Sequence, residues 1–148
     1  MADQLYYEDV QVGSEVPPLV KRPTTEQLVR YAGAANDYAR IHYDEPYARF
    51  RGFPSVIVHG LLKAGCLGQM LCDWAGPKAW VKKMSTQYRH IDLPFHDLIC
   101  KGKVTNKYVV GEEYLVEVDI WVENDRGQVT TPGKATILLP SRFKETAQ

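Results

Sequence analysis

Gly60-Leu61-Leu62-Lys63-Ala64-Gly65-Cys66-Leu67-Gly68-Gln69-Met70-Leu71-Cys72-Asp73 is the stretch whose reading decides the fold. Its apolar and small residues cover most of a helical circumference, which predicts a buried helix rather than a surface one. A glycine inside a helix costs about 1 kcal/mol against alanine. Ala64, Gly65 and Gly68 are therefore expected to let a sheet pack closely against this helix.

Outward from that helix toward the C-terminus, the pattern changes to period two. Tyr114, Val116, Val118, Ile120 and Val122 alternate with Leu115, Glu117, Asp119, Trp121 and Glu123, as in a strand with one apolar face. Asn124-Asp125-Arg126-Gly127 predicts a hairpin turn, with glycine free to take positive φ. The chain returns over 128–139. Gly111 links a further strand over 98–109, and 84–91 and 16–22 complete the expected set. Toward the N-terminus, Thr24 followed by Gln27 forms a capping-box pattern, and Leu28, Tyr31, Ala32 and Ala35 continue at helical spacing. Residues 36–54 read as irregular. One buried helix with an antiparallel meander implies an α+β fold, the sheet wrapped around the helix.

The 148 residues fit a single domain spanning 1–148. Lysine plus arginine and aspartate plus glutamate are each 18, so the formal net charge is zero. That balance argues against a nucleic-acid binder. Cys66, Cys72 and Cys100 are odd in number and form no CxxC, which excludes a disulfide framework or a zinc signature, and each is expected in the core. The N-terminus lacks a signal-peptide pattern, and no apolar run is long enough for a membrane span. A cytoplasmic protein without membrane association is expected.

Two stretches can carry chemistry: Asn36-Asp37-Tyr38-Ala39-Arg40-Ile41-His42-Tyr43-Asp44 and Val58-His59-Gly60-Leu61. In a bent loop, Asp37 and His42 can converge on one water, whereas a straight helix would splay them. An Asp and a His are suited to proton transfer because their ordinary pKa values straddle the useful range, and burial raises the first and lowers the second, bringing the two closer together. The same residues also suit a plain turn aspartate and a packed loop histidine. Gly60 opens the buried helix, where unpaired N–H groups can stabilise a developing negative charge. A glycine there would also let a ligand approach the backbone. Equally, Gly60 suits a tight helix start and His59 a capping or surface residue.

Taken together, these stretches resemble the signature of the MaoC-type hydratases, which include (R)-specific enoyl-CoA hydratases. The matching residues are Asp37, then His42, then Tyr43-Asp44 and Pro46-Tyr47-Ala48, then Val58-His59-Gly60-Leu61. Tyr88-Arg89-His90-Ile91-Asp92-Leu93-Pro94, closing at Asp97, also resembles the family. The resemblance implies a hotdog fold and reversible hydration of trans-2-enoyl-CoA to 3-hydroxyacyl-CoA. Asp37 and His42 would be the catalytic pair, with Gly60 and His59 at the oxyanion and substrate side. No cofactor or metal is implied, coenzyme A entering as part of the substrate. Its phosphates would meet Arg40, Lys82, Lys83, Arg89, Lys101 or Lys103, and Trp80 and Trp121 would line an interface or the mouth of the site.

A homodimer, or a heterodimer with another hotdog chain, is also implied. Ala39-Arg40 stands where the family commonly has Asn-Pro, and His96 where it has the glycine of a Gly-Asp turn. The run Asp73-Trp74-Ala75-Gly76-Pro77 looks similar to small subunits of heteromeric steroid-side-chain hydratases. A hotdog thioesterase, a scaffolding subunit and an acyl-binding module are the competing readings.

Overall fold

A computed structural model describes residues 3–145. The strands are β1 (Glu15–Lys21), β2 (Trp80–Thr86), β3 (Leu98–Val110), β4 (Glu113–Asn124) and β5 (Val129–Leu139). They form one antiparallel sheet in the order β1-β3-β4-β5-β2. The principal helices are α1 (Thr25–Ala35), α2 (Glu45–Phe50) and α3 (Gly60–Ala75). Helix α3 touches all five strands, so the sheet does wrap around it, in a hotdog, α+β arrangement. Leu67, Met70 and Leu71 of α3 pack on Val116, Val118, Ile120 and Val122 of β4, all buried in one core cluster. None of the helices among the described residues is long and apolar enough to cross a membrane.

The local signals act as their chemistry dictates. Thr24 Oγ1 accepts from the Gln27 N–H at 3.2 Å and starts α1. The β4–β5 turn closes through Gly127 N–H to Asn124 O at 3.0 Å, with Gly127 at φ 78. Four expectations need correction. Residues 36–54 are not wholly irregular. Arg40–His42 is a 3-10 turn, and α2 is capped by Asp44, whose Oδ1 accepts from Tyr47 N–H at 3.1 Å. The strand expected over 84–91 is Trp80–Thr86, shifted toward the N-terminus.

The third correction concerns α3. It is not buried all round: Leu61, Gly65 and Cys72 are exposed along one side, with Gly68 half-buried among them. A Cβ added at Gly65 or Gly68 would meet nothing within 4 Å. Those glycines therefore do not serve close packing on the sheet. Fourth, Cys72 is exposed, whereas Cys66 and Cys100 are core residues. Burial pushes both core thiols up, Cys100 to about 12.

Candidate active site

Helix α1 is stopped by Asn36, which takes the left-handed conformation at φ 53. Asparagine tolerates that region better than most residues. The reversal lets the Asp37 N–H reach back to Ala32 O at 3.0 Å, and Asp37 Oδ1 accepts from Ala39 N–H at 3.3 Å. Asp37 is thus held by its own backbone turn while its second oxygen stays available.

The 3-10 turn after it brings His42 round to face that oxygen. His42 Nε2 lies 4.0 Å from Asp37 Oδ2, too far for a direct hydrogen bond. Nδ1 of the same ring is 2.7 Å from the Ile57 carbonyl. A carbonyl only accepts, so Nδ1 carries a proton and, in the neutral ring, Nε2 presents its lone pair toward Asp37. The loop reading of this pair is the one the structure adopts. His42 is buried, and Asp37 is partly open to solvent.

His59 lies behind His42, their rings stacked with centroids 3.8 Å apart and planes 19° apart. Tyr31 meets the His59 ring edge-on, with centroids 4.8 Å apart. His59 is wholly buried, and neither ring nitrogen has a hydrogen-bond partner. It is the N-cap residue of α3 by position, yet its side chain caps nothing. It is therefore neither the surface nor the capping residue that its sequence context suggested. Burial first, and then the neighbouring His42, lower its pKa against an opposing pull from Asp37, and the net shift favours the neutral ring. Burial, followed by the Asp37 charge, raises the Tyr31 phenol.

Gly60 occupies the first position of α3, as expected, but the space beside it is taken. A Cβ there would sit 2.9 Å from the Tyr88 ring. The glycine is thus required by an aromatic side chain of this same chain. Tyr88 is half-exposed, and Thr86 Oγ1 donates to its hydroxyl at 3.2 Å.

Asp37, His42 and His59 each place one donor atom within 4.8 Å of the others. Two nearly parallel stacked imidazoles aim their in-plane lone pairs side by side rather than at one point. The 4.0 Å between Asp37 Oδ2 and His42 Nε2 also exceeds the roughly 3.4 Å between ligand atoms of a tetrahedral zinc site. The spacing of Asp37 and His42 suits a bridging water better than an ion.

Sequence reasoning did not anticipate Lys63 and Asp92, a buried ion pair at 2.8 Å one turn into α3. It also left open what Arg40 does. The Arg40 guanidinium donates twice to Asp44 Oδ2, at 3.0 and 2.6 Å, and lies 4.4 Å over the Tyr47 ring. It ties the 3-10 turn carrying His42 to the start of α2. Lys82 and Lys101 are likewise committed to Glu113 and Glu123. Trp80 is exposed on the edge strand, and Trp121 is only half-exposed, donating to Glu123 at 3.1 Å.

The family model of the MaoC like domain matches residues 9–128. The chain belongs to the MaoC-like domain family. This MaoC-like chain is 28% identical over 138 residues to an (R)-specific enoyl-CoA hydratase of Rhodospirillum rubrum, covering 93% of each. It is 30% identical over 131 residues to the 3-oxo-4,17-pregnadiene-20-carboxyl-CoA hydratase beta subunit of Mycobacterium tuberculosis, covering 88% of this chain and 96% of that one. Its fold superposes on the R-hydratase PhaJ1 of Pseudomonas aeruginosa with a TM-score of 0.85 at 21% identity, over 94% of this chain and 88% of that one.

Proposed function

We propose that this MaoC-like chain interconverts trans-2-enoyl-CoA and (R)-3-hydroxyacyl-CoA, with Asp37 and His42 as the acid–base pair. The observation that carries the reading is the placement of two acceptors, Asp37 Oδ2 and a tautomer-fixed His42 Nε2, 4.0 Å apart at the head of α3. A water between them would donate one proton to each and turn its free lone pairs outward. As that oxygen bonds to C3, one base takes its proton and the C2–C3 π pair moves toward the thioester carbonyl. The enolate then takes a proton at C2 from the acid of the pair. The Gly60 N–H, at the positive end of α3, would stabilise the enolate oxygen. Dehydration is the reverse. Adding water changes no net oxidation state, so the reaction calls for neither flavin nor nicotinamide.

The relatives' acyl-CoA substrates support coenzyme A as the carrier. Of the six basic residues considered for its phosphates, Lys83, Arg89 and Lys103 remain the better candidates, because Arg40, Lys82 and Lys101 are neutralised by carboxylates. A cytoplasmic setting, where unpaired thiols and acyl-CoA metabolism coexist, belongs to the same reading. A second hotdog chain, identical or related, is its proposed partner. The uncharged stripe Leu61, Gly65, Gly68 and Cys72 on α3 and the open edge of β2 support this.

A specific variant of the proposal has the chain acting as one subunit of a heteromeric steroid-acyl hydratase. The likeness to a beta subunit favours it. The test is to offer the purified chain short, medium and steroid-like 2-enoyl-CoAs, following enoyl absorbance and free thiol together. Loss of the enoyl chromophore without thiol release is the expected result. Thiol release would point to a thioesterase. No change with any acyl group would move the activity to a complex with a partner.

A further inference from the structure

Lys63 and Asp92 are each 2% exposed at the side chain, and their charges meet at 2.8 Å. Asp92 Oδ2 also accepts from Thr130 Oγ1 at 2.6 Å, and Lys63 Nζ donates to His90 O at 3.1 Å. The Asp92 carbonyl accepts from Val58 N–H at 2.9 Å, immediately before His59 and Gly60. Three parts of the chain are joined here: the first turn of α3, the segment 87–95 that leaves β2, and the start of β5.

Stability does not explain this cluster. A buried ion pair is often no better than well-packed apolar residues of the same volume. A cation in the first turn of a helix also opposes the macrodipole. What the cluster does fix is geometry. The segment it ties down carries Tyr88, whose ring lies against Gly60. Arg89 N–H and His90 N–H both close on Thr130 O, at 3.0 and 3.2 Å.

We infer that the buried Lys63–Asp92–Thr130 cluster is the fastening that holds Tyr88 against Gly60, which makes Lys63 and Asp92 positioning residues for the site at the head of α3. Its catalytic consequence rests on the hydratase reading, whereas the fastening itself does not. Neither residue touches the Asp37–His42 pair. Their effect passes through the aromatic ring and the backbone entering α3.

The test is the charge-balanced double variant Lys63→Met/Asp92→Asn in the full chain. The ring current of Tyr88 marks the Gly60 α-protons, so their NMR shift reports the contact directly, with Tyr88→Leu as the reference for its loss. The expected result is a folded protein whose Gly60 shift moves toward the Tyr88→Leu value. Its kcat falls by about tenfold to a hundredfold, the scale of a small misplacement, while KM stays near the wild type. A wild-type Gly60 shift in the folded double variant overturns the fastening, and a moved shift with unchanged kcat overturns the positioning role of Lys63 and Asp92. If the double variant does not fold, Thr130→Val, which leaves both charges paired, is read the same way. It should show a smaller displacement in the same direction, and a wild-type shift there overturns the inference. Should the wild type hydrate no enoyl-CoA, alone or with a partner chain, the hydratase reading fails by itself and the Gly60 shift still decides the fastening.

Discussion

Asp37 is held by its backbone turn and His42 by the Ile57 carbonyl, so either can be altered without dismantling the other. Asp37→Asn keeps the size and the Ala39 contact but removes the base. His42→Ala removes the Nε2 acceptor. Each is expected to cost more than about a hundredfold in kcat, with a wild-type circular dichroism spectrum. Asn36 makes a separate prediction. At φ 53, Asn36→Ala should lose about 1 kcal/mol in urea denaturation, and Asn36→Gly should lose nothing.

His59 gives the pH dependence. Its folded pKa is lowered from 6.5, first by burial. The unfolded chain therefore takes up a proton on this ring as pH falls through about 6.5, while the folded chain does not until lower pH. Stability held above that point is lost progressively on acidification. His59→Gln, polar but without a titrating ring, should flatten this part of the melting-temperature profile between neutral and mildly acidic pH. An unchanged profile would show that His59 does not drive it.

At the scale of elements, Gly60→Ala places a methyl 2.9 Å from the Tyr88 ring, and that half-exposed ring must swing away. The variant should melt below the wild type, and Tyr88→Ala should remove most of the penalty when combined with it. Their effects are coupled because the two groups are in contact. Strictly additive melting temperatures would contradict that contact.

The buried helix and the period-two strands were legible because burial of a whole face leaves a repeating pattern in the chain. Asp37 and His42 were legible through the signature they share with the family, spacing alone leaving them ambiguous. Helix α2 was missed because six residues show too little periodicity, although Asp44 as cap and Pro46 in the first turn were both signals. β2 was misplaced because Trp80 and Val81 extend it one way. Beyond Thr86, one bond to Pro132 O and two converging on Thr130 O replace the regular ladder. The pairing of Lys63 with Asp92 and the packing of Tyr88 on Gly60 were not legible, although Tyr88 and Asp92 both stand in a stretch that resembles the family. A lysine in a helix ordinarily reads as solvated, and only long-range folding brings Asp92 and Thr130 to it.

For the molecule as a whole, the apolar composition of α3 exceeds what one chain buries. Leu61 is 59% exposed and lies on the same side as Gly65, Gly68 and Cys72. The second hotdog chain proposed above, docked on that side, would account for a stripe that carries no charge. Leu61→Lys is then expected to lower the assembled mass measured by light scattering. A chain that is monomeric with or without the substitution would remove this support for an oligomer.

The proposed chemistry turns on one small region between Asp37 Oδ2 and His42 Nε2, 4.0 Å apart. The most direct measurement of its role is hydration of a 2-enoyl-CoA by the wild type and by Asp37→Asn, side by side, with free thiol followed in parallel. The account predicts loss of the enoyl absorbance without thiol release for the wild type, and a rate lower by more than about a hundredfold for folded Asp37→Asn. Near-equal rates for the two proteins would contradict it.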